Sequence, residues 1–233
     1  HPRVRRQRQM CIRDRYNYGS FLMGDGTTKL VPTTELGFLD GNMFIISCQY
    51  DQSQVTANST SIPVTLLSTP LCIDPKGNEG LNPQKTEPTN PLYSLDKQQS
   101  SLVYYDKNTI VLTMPYWVKV TNSSVEDSEV KKHSFVLSYD PEAMTASDTK
   151  LKLYISHVVE DAGETVTRSN FTYAYRAYSI RAALAAFKEK TGKLPKYLEL
   201  TAEINNSKDE LVDKDGKETS VERSVEYDYA FTE

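Results

Sequence analysis

Apolar side chains recur at every second position through a series of short runs in this chain, and only once does the period lengthen to that of a helix. The clearest run is Thr109 to Val120. Ile110, Leu112, Met114, Tyr116, Val118 and Val120 share one face, while Thr109, Val111, Thr113, Pro115, Trp117 and Lys119 share the other. Alternate side chains of an extended backbone point to opposite faces of a sheet, so this spacing predicts a strand packed on a core. Pro115 cannot donate to a ladder, which predicts an edge or a bulge at that point.

The alternation returns in His133 to Tyr139, Leu151 to Val159, Phe171 to Tyr178, Tyr197 to Ile204 and Val221 to Phe231. Nearer the N-terminus, residues 16–22, Lys29 to Val31, Met43 to Tyr50, Ile62 to Leu67 and Leu71 to Ile73 read as further strands. Gly24-Asp25-Gly26 supplies the positive-φ positions of a tight hairpin, and Gly37 and Asp40-Gly41 mark another turn. The helical exception places Ile180, Ala183, Leu184 and Phe187 at i, i+3, i+4 and i+7, with Ser179 as N-cap and Gly192 and Pro195 as the stop. Seven or so short antiparallel strands with one connecting helix indicate a β-sandwich in the C-terminal part.

Between Asp74 and Gln99 the pattern lapses. Pro75, Gly77, Gly80, Pro83, Pro88 and Pro91 fall within 17 residues among Lys, Asn, Gln and Thr. Such a segment buries too little apolar surface to offset chain entropy, and it reads as a linker or long loop. The predicted organisation is an N-terminal β domain over 16–74, a Pro-rich connection over 75–99 and the sandwich over 100–233.

Residues 1–15 stand outside this organisation. From Met10 the chain can be back-translated as ATG TGT ATA AGA GAC AG, which resembles the adapter of a transposase-made sequencing library, and the preceding Arg-Arg-Gln-Arg-Gln fits the same adapter. On this reading residues 1–15 are a disordered artefact. The natural N-terminus, with any export signal, then lies outside the sequence. Removing these residues takes away six Arg and one Asp, leaving 21 Lys and Arg against 30 Asp and Glu, a formal charge of −9 in place of −4. An acidic surface repels phosphate backbones, so nucleic acid is not an expected partner. No run reaches the roughly 18 apolar residues of a membrane helix.

Chemistry-bearing residues are few. With Cys11 set aside, Cys48 and Cys72 are either a disulfide or two separate thiols. His133 and His157 each fall in line with apolar positions of a strand, which reads as core-edge histidine and not as a metal ligand; no ligand spacing or nucleophile elbow accompanies them. Asp213, Asp215 and Glu218 read as a solvated hairpin tip, because Leu211 occupies the first position of the calcium-loop pattern. Glu126-Asp127 and Glu160-Asp161 read as turn ends. Fifteen Tyr, seven Phe and one Trp leave room for a sugar-stacking face, with Trp117 the ligand-binding candidate because it lies opposite the apolar face of its strand.

Several of these features occur in an order with a known counterpart. The Asp25-Gly26 turn precedes Lys29-Leu30-Val31-Pro32, and Asp40-Gly41 leads into Phe44 to Tyr50. HSFVLSYD (His133 to Asp140), LKLYISHVVED (Leu151 to Asp161) and an aromatic strand running into the Ser179 helix follow. In this order, across residues 16–233, the chain resembles the NigD-like proteins, secreted lipoproteins of Bacteroidota. The resemblance implies a mainly β fold with an N-terminal OB-like small barrel and a C-terminal antiparallel β-sandwich bearing one short helix. It also implies export and tethering to the cell envelope, in the outer membrane or periplasm, through a lipidated cysteine. Ile45-Ile46-Ser47-Cys48 is rejected as that site, since Asp40 stands where basic residues belong and the apolar run is too short.

The resemblance brings no catalytic residues, cofactor or metal. The expected function is therefore a non-enzymatic envelope-associated lipoprotein that binds a protein or glycan and meets the membrane only through its lipid. A glycan-binding module tied to nutrient capture is the alternative, and a hydrolase the third reading.

Overall fold

The computed structural model describes residues 4–12, 19–36, 39, 43–73, 90–162, 166–207 and 219–231, the first stretch by its backbone alone. Residues 16–18, the turns at Gly37 and Asp40-Gly41, residues 74–89 and the tip at Asp213 to Glu218 lie outside them. The chain is mainly β and divides into two compact units, His1–Lys76 and Gly77–Glu233.

Unit 1 contains β1 (Val4–Ile12), β2 (Phe21–Leu22), β3 (Lys29–Pro32), β4 (Met43–Asp51), β5 (Ser61–Leu66) and β6 (Leu71–Cys72). The sheet runs β1-β4-β5-β3-β2, with β6 also on β4. Alternation puts Phe44, Ile46 and Cys48 of β4 into a core with Phe21, Leu30 and Val64. At the β2–β3 hairpin Asp25 Oδ1 accepts the Thr27 and Thr28 N–H groups at 2.8 Å each, and Gly26 takes φ +71°. The turn read from Gly24-Asp25-Gly26 is therefore present, held by an Asx-type contact.

Two expectations for this unit are corrected. Barrel closure needs the end strands of the path to pair, yet among the described residues no ladder joins β1 to β2, so the sheet is open and not an OB-like barrel. Its β3–β5 pair is parallel, and the second edge of β4 is divided between β5 at Cys48 and Gln49 and β6 at Phe44 and Ile45. Within residues 1–15, expected to be disordered, Val4–Ile12 pairs antiparallel with β4 along its whole length. The first edge of β4 offers a full row of N–H and C=O groups, and a stretch without Pro or Gly can take it whatever its origin.

Unit 2 contains β7 (Ser101–Asp106), β8 (Thr109–Val118), α1 (Asp127–Val130), β9 (His133–Ser138), β10 (Lys150–Val159), β11 (Asn170–Ser179), α2 (Arg181–Thr191), β12 (Tyr197–Ile204) and β13 (Val221–Asp228). They form a four-stranded sheet, β13-β12-β10-β9, and a three-stranded one, β11-β8-β7. Ile110, Leu112, Met114, Tyr116 and Val118 of β8 meet Leu151, Leu153 and Ile155 of β10 and Leu198 and Leu200 of β12 in one core. Tyr178 of β11 donates its O–H to the Phe135 carbonyl of β9 at 2.9 Å.

The sheets are not wholly antiparallel as expected, because β10 and β12 run parallel. A parallel pair needs a crossover, and β11 with α2 provides it. The predicted stripe of α2 is buried at Ala183, Leu184 and Phe187, and Gly192 ends the helix in the left-handed region at φ +75°. Its N-cap is Ile180 and not Ser179, since Ser179 pairs with Thr109 in the β11–β8 ladder and the strand runs directly into the helix.

Pro115 lies past the end of the β7 ladder. Its carbonyl accepts from Tyr93 N–H at 3.0 Å. Because the N–H and C=O of a strand residue point to the same side, its missing donor faces away from β11. The neighbouring segment, Asn90 to Leu95, falls in the stretch read as linker, yet Leu92 and Leu95 are buried in the core. We refer to this segment as the strap. Leu92 bridges Ile204 of β12 and Tyr116 of β8, and its N–H donates to Glu203 O at 2.9 Å while its carbonyl accepts from Asn205 N at 2.8 Å.

Candidate functional site

The densest polar chemistry among the described residues lies where α1, β9 and β10 meet in unit 2. One turn of helix aims Glu129 inward, and His133 follows four residues later at the start of β9. His133 stands opposite Val159, and His157 opposite Phe135, so the two imidazoles are diagonal neighbours on the core face of the β9–β10 pair. Their Nδ1 and Nε2 atoms are 2.9 Å apart, and His133 Nε2 lies 3.3 Å from Glu129 Oε1. The same carboxylate oxygen accepts from Lys119 N at 2.9 Å and from Arg168 Nε at 2.7 Å. Arg168 continues to Asp161, which also accepts from Lys132 Nζ at 3.3 Å.

Burial and charge work against each other here. Burial alone would raise the Glu129 carboxyl, but the Lys119 N–H, Arg168 and His133 outweigh it and hold it low. Hydrogen bonding from Arg168 depresses Asp161. Burial pushes His133 down despite the carboxylate beside it. Burial, then the neighbouring His133, pushes His157 to about 3. Both rings are thus neutral near pH 7.

A carboxylate and imidazoles in series resemble the orienting half of a hydrolase triad, yet the arrangement cannot perform acyl transfer as it stands. Glu129, His133 and His157 are 6%, 5% and 2% exposed, so no substrate reaches them. The hydroxyls adjoining the two histidines, Ser134 of β9 and Ser156 of β10, project to the opposite faces of their strands by alternation. No group of three or more His, Cys, Asp or Glu able to hold a metal occurs among the described residues.

The aromatic candidate sits on the outer face of the three-stranded sheet, but not as expected. Trp117 is only 5% exposed, and its Nε1–H donates to the Asn205 carbonyl at 2.7 Å. It is a packed residue, covered by Tyr93 of the strap edge-on at 5.1 Å. Tyr93 in turn stacks on Phe171 at 4.1 Å, and Tyr173 meets Phe171 edge-on at 5.9 Å. Phe171 and Tyr173 are the outward members, 41% and 40% exposed. Of the other tyrosines at strand spacing, Tyr175 and Tyr227 are half-buried and Tyr229 is buried.

No disulfide joins Cys48 and Cys72, the first buried and the second exposed. Along β4 they stand opposite Leu66 and Phe44, respectively. Four residues of strand span about 13 Å, well beyond disulfide reach. The burial of Cys48 in the unit 1 core also keeps it from lipidation. Both histidines were singled out from the sequence, whereas Glu129, two residues beyond the Glu126-Asp127 turn, and Arg168 were not. The i, i+4 spacing of Glu129 and His133 was the available signal.

No family model matches the chain, and no curated protein matches it. It is similar in structure to a candidate lipoprotein of Bacteroides fragilis NCTC 9343, with TM-score 0.72 and 27% identity over 99% of this chain and 100% of the other. An uncharacterized protein from Parabacteroides merdae ATCC 43184 shares the fold, with TM-score 0.54 and 14% identity over 97% and 100% of the two chains. No helix among the described residues is long and apolar enough to cross a membrane.

Proposed function

We propose that the chain is the folded part of a non-enzymatic, envelope-associated lipoprotein of the NigD-like type, binding a protein partner at the cell envelope. The observation that carries this reading is the end-to-end similarity to the Bacteroides fragilis candidate lipoprotein, at 27% identity. Two features support the non-catalytic part. The histidine string is sealed from substrate, and the aromatic row is built for contact, not for bond breaking. The acidic charge disfavours nucleic acid as the partner.

Expression of the gene with its own upstream leader in a Bacteroides host, in the presence of an alkyne-bearing palmitate, tests the anchor. Labelled protein in the outer-membrane fraction is the expected result; unlabelled protein in the soluble fraction overturns it. In-cell crosslinking followed by mass spectrometry then tests for the partner.

A second reading, a glycan-binding module of nutrient capture, is favoured by the exposure of Phe171 and Tyr173. Apolar sugar faces stack on such rings. Binding on a glycan array that is lost in Phe171→Ala and Tyr173→Ala would select it, and an empty array would remove it.

A further inference from the structure

The proton count of the histidine string points beyond a binding role. A carboxylate only accepts, so the contact with Glu129 requires the proton of His133 on Nε2. Neutral His133 then offers a bare Nδ1, and the 2.9 Å contact requires the proton of His157 on Nε2. The series ends at His157 Nδ1, a buried nitrogen that in this tautomer accepts no hydrogen bond and faces the strap carbonyls of Pro91 and Asn90, which are themselves acceptors. Reversing both tautomers would only move the fault, setting a bare Nε2 of His133 against the carboxylate.

That nitrogen belongs to a residue held directly by the strap. Asn90 N–H donates to the His157 carbonyl at 2.6 Å, and Val159 N–H donates to Asn90 Oδ1 at 3.2 Å. The carbonyls of Pro91 and Asn90 lie toward the imidazole. Two residues on, the strap ties β12 to β8 through Leu92 and Tyr93.

The charges facing the pair are balanced. Glu129 of α1 and Asp161 after β10 are matched by Arg168 and by Lys132 before β9. Tyr116 of β8 packs on both imidazoles as an uncharged phenol. Phe135 stacks on His157 at 4.8 Å, and Arg176 of β11 lies over the Phe135 ring at 5.3 Å. One more proton makes the site net positive, with water excluded and a guanidinium beside the stacked ring.

We propose that the His133–His157 pair is an acid-sensitive latch: a proton taken up by the pair adds a buried positive charge beneath the strap where Glu129 and Asp161 are already matched by Arg168 and Lys132, and residues 90–93 release from the two sheets. Release lets water reach the imidazoles, which then return toward their ordinary affinity for protons, near pH 6.5. The opened state binds the proton more tightly than the closed one. Its population therefore rises by up to about tenfold per pH unit for each proton bound below that value.

Hydrogen exchange of the full chain at pH 7.5, 6.5 and 5.5, corrected for the intrinsic rate, tests the latch at the Asn90, Leu92 and Tyr93 amides. The expected result is an opening equilibrium larger at pH 5.5 than at 6.5 by about fivefold for each imidazole that charges, with a weaker dependence in His157→Gln. An unchanged wild type, the same pH dependence in His157→Gln, or stronger protection at acid pH each overturns the proposal. Should His157→Gln not fold, imidazole NMR of the wild type decides. Two neutral Nε2–H rings that charge only together with strap exchange support the latch, and rings that titrate near 6.5 in a closed strap refute it.

Discussion

Arg168 lays two guanidinium N–H groups on the two carboxylate oxygens of Asp161, each at 2.7 Å, and turns its third donor, Nε, to the buried Glu129. One planar side chain thereby neutralises two acids on either side of the β9–β10 end. A fork of this shape is what guanidinium provides and ammonium does not.

Arg168→Ala should accordingly destabilise unit 2 by about 3 kcal/mol at pH 7.5, because it leaves Glu129 buried without its main counter-charge. Arg168→Lys should recover only part of this, since it cannot serve both acids. Urea unfolding of the three proteins measures the difference. The loss should shrink at pH 4, where the stranded acids take up protons; a loss that does not depend on pH would mean that Arg168 acts through packing.

Global stability should fall in two stages on acidification. His133 and His157 have folded-state affinities below their ordinary value, so they stabilise the fold above about pH 6.5 and lose that contribution as the pH falls below it. Glu129 and Asp161 are also depressed, so their contribution is present above about pH 4.4 and is lost as the pH falls through their folded values. Thermal unfolding from pH 8 to 3 should show the upper stage disappear in a His133→Gln, His157→Gln double variant and the lower one remain.

The outer aromatic row divides into a packed half and an open half. Trp117→Ala should cost about 3 to 5 kcal/mol through the lost ring, whereas Trp117→Phe should cost mainly the bond to the Asn205 carbonyl, about 1 kcal/mol. Phe171→Ala and Tyr173→Ala, at outward positions, should stay within about 1 kcal/mol of wild type. Chemical denaturation of the four variants checks the order. A large loss at Tyr173 would show that its ring is structural and not available for contact.

What could be read from sequence followed the range of the interactions involved. The β8 alternation and the α2 stripe were legible because each is decided by burial within one element. The parallel pairing of β10 with β12 was not, since nothing in Leu151 to Val159 or Tyr197 to Ile204 encodes direction; it follows from the β11–α2 crossover. The strap escaped for a related reason. Leu92 and Leu95 are two apolar residues among prolines, too few to show a period, and their burial depends on both sheets. For the candidate site, Trp117 was placed on the right face, but its cover by Tyr93 comes from 24 residues away in sequence. The link from Arg168 to Asp161 and Glu129 likewise leaves no periodic trace.

Helix α2 offers the sharpest separation of local from tertiary stabilisation. Phe187 is fully buried on its inner face, so Phe187→Ala should remove about 3 to 5 kcal/mol by leaving a cavity in the unit 2 core. At the helix end, a Cβ on Gly192 would meet no atom within 4 Å, so Gly192→Ala is opposed only by its φ of +75°. Forcing an L-residue into that region costs about 1 to 2 kcal/mol. If the cost at Gly192 is steric in the backbone alone, Gly192→Asn should cost less than Gly192→Ala, because asparagine visits the left-handed region more readily. Equal losses in urea unfolding would show that the C-cap reaches the core by some contact other than its own conformation.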